Sequence, residues 1–432
     1  MANFATVNLW GRSIAAVSWD DPQGYANFQY MPNFVKSGIE LAPLTMPLSD
    51  KIYNFPALSK ETFQGLPGLL ADSVPDKFGQ AVIDAWLALT GQPKGSMNPV
   101  EKLCYIGMRG MGALEFQPNR GPKRTKSSKV HIDQMVQMAS EVLAQRQGVL
   151  LNLDDDKAMQ EILAIGTSAG GSRAKAIIAW NEKTNEVRSG QVKAEPGFTY
   201  WILKFDGVSN NKDKGQLADP QGYGLVEYAY HKMALEAGIT MSECRIFAEN
   251  RRHHFMTKRF DRDDSGEKFH MQTLGGIAHL DYNQPSGNTY EHAFQAMKQL
   301  ELPMVMVEEQ FRRMVFNIVA RNQDDHVKNI AYLMRQTGKW ELSPAYDVTY
   351  ACDPSNRWVN QHQMSMNGKR DGFSIEDFDE SAKRISLRRG LAREIVEAVQ
   401  SAVHKWPIIA AEAGVLTDQI PRIEKNHRFF KH

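Results

Sequence analysis

Apolar and polar positions first alternate along this chain and then change period. Short β-like runs at Val7 to Trp10, Ile14 to Trp19 and Phe28 to Tyr30 are separated by the turn-rich segments DDPQG and MPN, which predicts a small, mostly β unit at the start. Further on, Phe78, Ala81, Val82, Ala85, Trp86 and Leu89 share one helical face, with Asp76 placed to cap it. A helix is also expected from Ile132 through Leu151, and a strand over 199 to 206, TYWILKFD. The next helix, 222 to 238, presents Val226, Tyr230, Met233 and Ala237 and stops at Gly238. A strand over 253 to 263 follows, and then a helix marked by Val307, Phe311, Met314, Val315 and Ile318. Its end leads into a hairpin that begins at Ile330, Tyr332 and Leu333 and returns through Trp340 and Leu342 to Asp347. Leu391, Ile395, Val399, Ala402 and Trp406 form the stripe of a late helix, and the Met-rich MVMVEEQ run reads as core packing.

Composition bounds this picture. At 432 residues the chain exceeds the usual reach of one hydrophobic core, so at least two subdomains are expected. The basic, polar stretch GPKRTKSSK at 121 to 129 marks a boundary, giving units over 1–125, 126–262 and 263–432. Hydrophobic residues make up 42% and charged residues 23%, the balance of a globular protein in water. A net charge of +1 supplies no global field for nucleic acid or membrane. The three cysteines are far apart and show no metal-ligand spacing, which suits a reducing compartment. With no leader-like start and no long apolar run, the expected location is the cytoplasm.

Candidate chemistry concentrates in RNQDDHVKNIAYLMRQTGKWELSPAYD, residues 321 to 347. Phosphoryl transfer needs a carboxylate to accept the proton of the attacking hydroxyl, an amide oxygen for a magnesium ion, and a second carboxylate for the metal bridging the phosphates. Asp324, Asn329 five residues later, and Asp347 supply that set. No His-Arg pair precedes Asp324, and AYD stands where an ordinary protein kinase carries Asp-Phe-Gly, so an ordinary protein kinase is not expected. Upstream, AIGTSAGGSRAKAIIAW at 164 to 180 places glycines where backbone amides can nest an anion. Lys204 lies in an otherwise apolar strand after that loop, a costly place for an ammonium unless it meets an anion. Glu227 is a candidate to orient it. Lys258 to Phe260 are candidates for a hinge that meets adenine, with Asp261 in reach of the ribose.

SAGGSRAK at 168–175, WILK at 201–204, KRFDR at 258–262, NQDDHVKN at 322–329 and SPAYDV at 343–348, with LPGLLADSVPD at 66–76, resemble the HipA family of serine/threonine kinase toxins. The resemblance implies a bilobed, protein-kinase-like α/β fold with a small β-rich N-terminal subdomain and a mostly helical C-terminal lobe. It implies ATP and Mg²⁺ as cofactors, Asp324 as catalytic base, and Asn329 and Asp347 as metal ligands. Gly170, Gly171, Ser172, Arg173, Ala174, Lys175 and Lys204 would hold phosphates, and Lys258, Arg259 and Phe260 would meet adenine. Asp261, His326 and Tyr346 complete the expected nucleotide site, and Ser168 is the expected autophosphorylation site. The implied partners are a small HipB-like DNA-binding antitoxin, operator DNA mainly through it, and a protein substrate, in the family glutamyl-tRNA synthetase. Two alternatives stand beside the toxin kinase: an ATP-binding co-repressor whose catalysis is dispensable, and a small-molecule kinase.

Overall fold

The structure, a computed structural model, describes residues 3–89, 91–121, 127, 129–145, 173–208 and 222–431. Ser168, Gly170, Gly171 and Ser172 lie outside the described residues. The expected alternation at the N-terminus becomes an antiparallel sheet of strands β1 (Phe4–Leu9), β2 (Arg12–Asp20), β3 (Tyr25–Tyr30) and β4 (Leu114–Gln117), in the order β3-β2-β1-β4. Every second residue of β3, from Ala26 through Phe28 to Tyr30, is buried, as a sheet packed on one face requires.

Helix α1 (Lys77–Leu89) starts where Asp76 Oδ1 accepts the Gly79 amide at 2.8 Å. Its apolar face, Phe78, Ala81, Val82 and Ala85, does not pack with the N-terminal sheet. It joins the next core, with helix α3 (Ile132–Gln145) and the second sheet, while α2 (Pro99–Ile106) stays with the first. The first and second cores are therefore interleaved in sequence.

The second sheet consists of β5 (Lys175–Asn181), β6 (Glu186–Ser189), β7 (Thr199–Lys204), β8 (Cys244–Glu249) and β9 (Arg252–Lys258), ordered β6-β5-β7-β9-β8. Helix α4 (Tyr223–Glu236) crosses it. Gly224 permits the close approach, since a methyl group there would stand 2.7 Å from the His253 carbonyl oxygen.

The remaining unit is mostly helical. Its small sheet, β10 (His270–Thr273), β11 (Ala331–Met334) and β12 (Trp340–Leu342), contains the expected hairpin, and α5 (Tyr290–Gln299) and α6 (Met304–Val319) pack into the largest core. The late apolar stripe is split between two helices: α7 ends at Val403 (Leu391–Val403) and Trp406 opens a separate helix. Pro407 in the first turn of that helix has no amide to continue the earlier one. Among the described residues no helix is long and apolar enough to cross a membrane.

The N-terminal unit and the helical unit meet backbone to backbone. The short helix Gly68–Ala71 lies against the turn Leu274–Ile277 so closely that a methyl group on Gly68 would fall 2.1 Å from the Gly276 carbonyl oxygen. One on Gly276 would fall 2.1 Å from the Asp72 carboxylate. That carboxylate accepts the Thr273 amide at 2.7 Å and its hydroxyl at 2.9 Å.

Candidate functional site

Helix α6 ends at Ala320, and Arg321, with a positive φ of 59°, turns the chain back. Asn322 secures the turn by donating from its side chain to Asn317 Oδ1 at 2.9 Å. In the segment that follows, burial separates two carboxylates that are equivalent by sequence. Asp325 is 2% exposed and accepts from Tyr290 Oη at 2.6 Å and the Gln363 amide at 2.7 Å, with His362 Nδ1 at 2.8 Å. Its oxygens are committed to tying the loop to α5 and to the segment after Asp347. Asp324 is only partly buried, with Oδ1 at 3.9 Å from His326 Nε2.

Asn329 closes the loop by donating from Nδ2 to the Asp324 carbonyl at 2.9 Å. With the amide nitrogen so used, the amide oxygen is the atom that could meet a metal. Asn329, His326, Tyr346 and Asp347 line one cleft.

Asp347 stands in the left-handed backbone region (φ 56°), a conformation that Asp tolerates better than most residues and that is enriched at functional sites. Its carboxylate accepts directly from Lys204, whose Nζ also lies 2.5 Å from Glu227 Oε1. Glu227 is buried on α4 one turn beyond Gly224, and its second oxygen accepts from Arg173 Nη1 at 3.1 Å. Arg173 also stacks over the Tyr223 ring. Burial alone would lower the Lys204 pKa, but Asp347 and Glu227 outweigh it and hold the ammonium above its ordinary range. Burial likewise opposes ionisation of Asp347, yet Lys204 and Lys175 keep its carboxyl well below the usual carboxylate range.

Lys175 faces Lys204 directly across the β5–β7 ladder. Like charges so placed repel, and both ammoniums are oriented toward acids. Lys175, itself buried, lies 3.5 Å from Asp76 Oδ2. Asp76 thus has a second role beyond the expected cap, bringing the N-terminal unit to the edge of the site. Sequence reasoning also missed Tyr290 and His362, whose contacts with Asp325 span 35 and 37 residues and leave no local signal. Ala174 is buried in the core, and its carbonyl accepts the Phe205 amide at 3.1 Å.

The expected hinge changes in detail. The Lys258 amide donates to the Glu243 carbonyl at 2.7 Å, its carbonyl accepts from Ser242 Oγ, and its ammonium pairs with Asp264 at 2.9 Å. The Arg259 amide donates to the Tyr200 carbonyl at 2.8 Å. Phe260 packs on a residue that lines the cleft, its ring 5.3 Å from that of Tyr346. Tyr346 in turn donates to the Lys328 carbonyl at 2.6 Å, beside Asn329. The ribose role expected for Asp261 does not hold: the side chain is fully buried and its oxygens are taken up by Arg259 and the Gly112 amide.

The residues present fit a magnesium-bound triphosphate. Asp347 and Asn329 offer the hard oxygens magnesium prefers, and two opposed lysines make a receptor for phosphate oxygens. Among the described residues no group of three His, Cys, Asp or Glu could hold a metal by itself, so phosphate oxygens would have to complete the shell. Glu227→Gln should lower kcat/KM for ATP by about 10- to 100-fold, because the neutral amide no longer fixes Lys204. Steady-state kinetics beside a melting curve checks this; an unchanged kcat/KM for ATP would remove Glu227 from the site.

Two stretches match known domains: residues 5–117 the HipA N-terminal domain, and residues 167–406 the HipA-like C-terminal domain. The chain belongs to the HipA family. A HipA of Shewanella oneidensis MR-1, solved with HipB and operator DNA, superposes on this HipA-family chain with a TM-score of 0.66 at 18% identity, covering 98% of this chain and 94% of that one. The fold is accordingly the bilobed α/β, kinase-like class. The Helicobacter pylori proinflammatory kinase CtkA matches at a TM-score of 0.32 and 12% identity over 58% of this chain and 94% of its own. A Haemophilus influenzae protein named "Putative kinase" is 24% identical over 159 residues, 33% of this chain. The chain spans about half (46%) the length of that relative.

Proposed function

We propose that this HipA-family chain is an ATP-dependent serine/threonine protein kinase that acts as the growth-arresting toxin of a toxin–antitoxin pair. The observation that carries the reading is the joined set at the cleft: Lys204 between Glu227 and Asp347, and Asn329 locked onto the main chain of Asp324. In this arrangement Asp324 accepts the proton of the attacking hydroxyl, Asn329 and Asp347 hold magnesium, and Lys204 and Lys175 hold phosphate oxygens. Bound Mg-ATP supplies the phosphoryl group. Phe260 and Tyr346 form the wall for adenine.

The partner we infer is a small DNA-binding antitoxin of the HipB kind, with which the Shewanella relative was solved. It would carry base readout, since a chain of net charge +1 is poorly suited to strong DNA binding alone. Glutamyl-tRNA synthetase is the family's substrate and the first protein to test. Ser168, in the glycine-rich stretch, is the expected site of self-modification: a phosphoserine there, with about −1.5 to −2 charges, would contest the amides and lysines that hold the nucleotide's phosphates.

Incubating the purified protein with Mg²⁺ and labelled ATP in a cell lysate tests the reading. A labelled protein band on a serine or threonine is the expected result, with phosphate on Ser168 in the intact-mass profile of the active protein and not of Asp324→Asn. ATP binding with no labelled protein would point to the co-repressor, and label confined to small molecules to a metabolite kinase.

A further inference from the structure

The hinge of this site is fastened to the N-terminal unit. The Gly112 amide donates to Asp261 Oδ2 at 2.8 Å. Arg259 grips the same carboxylate at two points, Nε to Oδ1 at 2.8 Å and Nη2 to Oδ2 at 2.5 Å, and Nη2 also reaches the Gly110 carbonyl at 3.4 Å. Arg262 adds a cation 3.5 Å from Asp261. A few residues on, Lys268 donates to the Met108 carbonyl at 2.7 Å and pairs with Glu115 at 2.8 Å, while the Trp10 indole donates to the Lys268 carbonyl at 2.9 Å. These bonds run from the segment 259–268 to the same N-terminal unit.

Arg259, Asp261 and Arg262 are all buried. Burial disfavours the Asp261 carboxylate, but Arg259 and Arg262 outweigh it and hold its pKa well below the usual range, so the clamp stays charged at ordinary pH. Buried ion pairs add little net stability over apolar residues of the same size; what they can confer is a defined geometry. The geometry here concerns Phe260, which lies between the two clamped residues in sequence. Its ring meets Tyr346, which precedes Asp347 and donates to the carbonyl next to Asn329. The route from the N-terminal unit to both proposed metal ligands is therefore short and continuous.

We propose that Asp261 is a positioning residue through which the N-terminal unit sets the shape of the adenine pocket, and with it the preference for the nucleotide base. The proposal rests on the reading of Phe260 as the hinge residue. Under it the N-terminal unit is a working part of the nucleotide site as well as a neighbour of it. A hinge free to shift would still bind a triphosphate through Lys204 and Lys175, but would lose its fit to one base.

The test uses the full-length chain with Mg-ATP and Mg-GTP. Arg259→Met/Asp261→Leu exchanges the two-point pair for apolar side chains of similar size but leaves Arg262 and the Gly112 amide without their acceptor, so the melting temperature should fall. Where it folds, it should raise KM for ATP by about 10-fold and leave KM for GTP and kcat within about twofold, the weight of one well-placed hydrogen bond. Arg259→Lys, which keeps the charge and loses the two-point grip, should move the base preference in the same direction by less. Glu115→Ala cuts the neighbouring strap at Lys268 and should leave the preference as it is. A folded double variant with the parent's preference overturns the proposal, as does an equal loss in Glu115→Ala, which would mark general loosening. If the Arg259→Met/Asp261→Leu chain does not fold, an unaltered preference in Arg259→Lys overturns it. A parent that takes ATP and GTP alike would instead refute the hinge reading itself.

Discussion

Asp324→Asn is expected to lower phosphoryl transfer by about 10²- to 10⁴-fold, the usual contribution of a general base, and to leave Mg-ATP affinity within a few-fold. The separation follows from how residue 324 is used. Its partly buried carboxylate is the proposed base, whereas the proposed metal ligand Asn329 is steadied by the residue's main-chain carbonyl, which the substitution keeps. Single-turnover kinetics beside a binding isotherm tests both halves. Activity near that of the parent would remove Asp324 from the chemistry. Asp325 could not easily replace it, since its oxygens are occupied by Tyr290, His362 and the Gln363 amide. Asp325→Asn should instead cost stability by leaving a buried network partly unsatisfied.

Changing Asp347 should have the second large effect, on binding and turnover together. Asparagine is the informative replacement: it tolerates the left-handed backbone at this position, where alanine would add strain to the loss of a ligand. Asp347→Asn removes the charge that meets Lys204 and the hard carboxylate offered to magnesium. The affinity for Mg-ATP is expected to fall by about 100-fold, at the upper end for perturbed metal sites. Melting curves with ATP, with and without Mg²⁺, provide the readout. Equal stabilisation of variant and parent by Mg-ATP would show that Asp347 holds no metal.

The elements and contacts that were legible in the sequence are those with a local signal. Helical spacing located α4 and α6, and the interval between Asp324 and Asn329 is short enough that a loop brings them together. Lys204 could be suspected because an ammonium in an apolar strand requires a counter-ion, and Glu227 one helix later supplies it. What was hidden depends on contacts between distant segments. Nothing near Asp261 indicates that it meets Gly112, 149 residues away, so an acid in a hinge motif reads as a ligand for ribose. Asp324 and Asp325 cannot be ranked by spacing; burial ranks them. The apolar stripe ending at Trp406 shows a different limit, because the periodicity ran on across His404 and Lys405, where one helix ends and the next begins.

The glycine contacts between the two halves have a consequence for mutational tolerance. Neither Gly68 nor Gly276 has a positive φ, so alanine would suit the backbone at both positions. The obstacle is space alone: the added methyl would press on a carbonyl oxygen in one case and on the Asp72 carboxylate in the other. A single carbon at Gly68 would therefore act as a wedge, forcing the N-terminal unit away from the short helix Leu274–Ile277 while each half keeps its own core. Random substitution should find these two positions far less permissive than Gly110, which also lacks a positive φ and where a methyl group meets only Ile106 at an ordinary 3.5 Å. In a chain whose halves cooperate, such a seam makes it possible to weaken the cooperation without unfolding either partner.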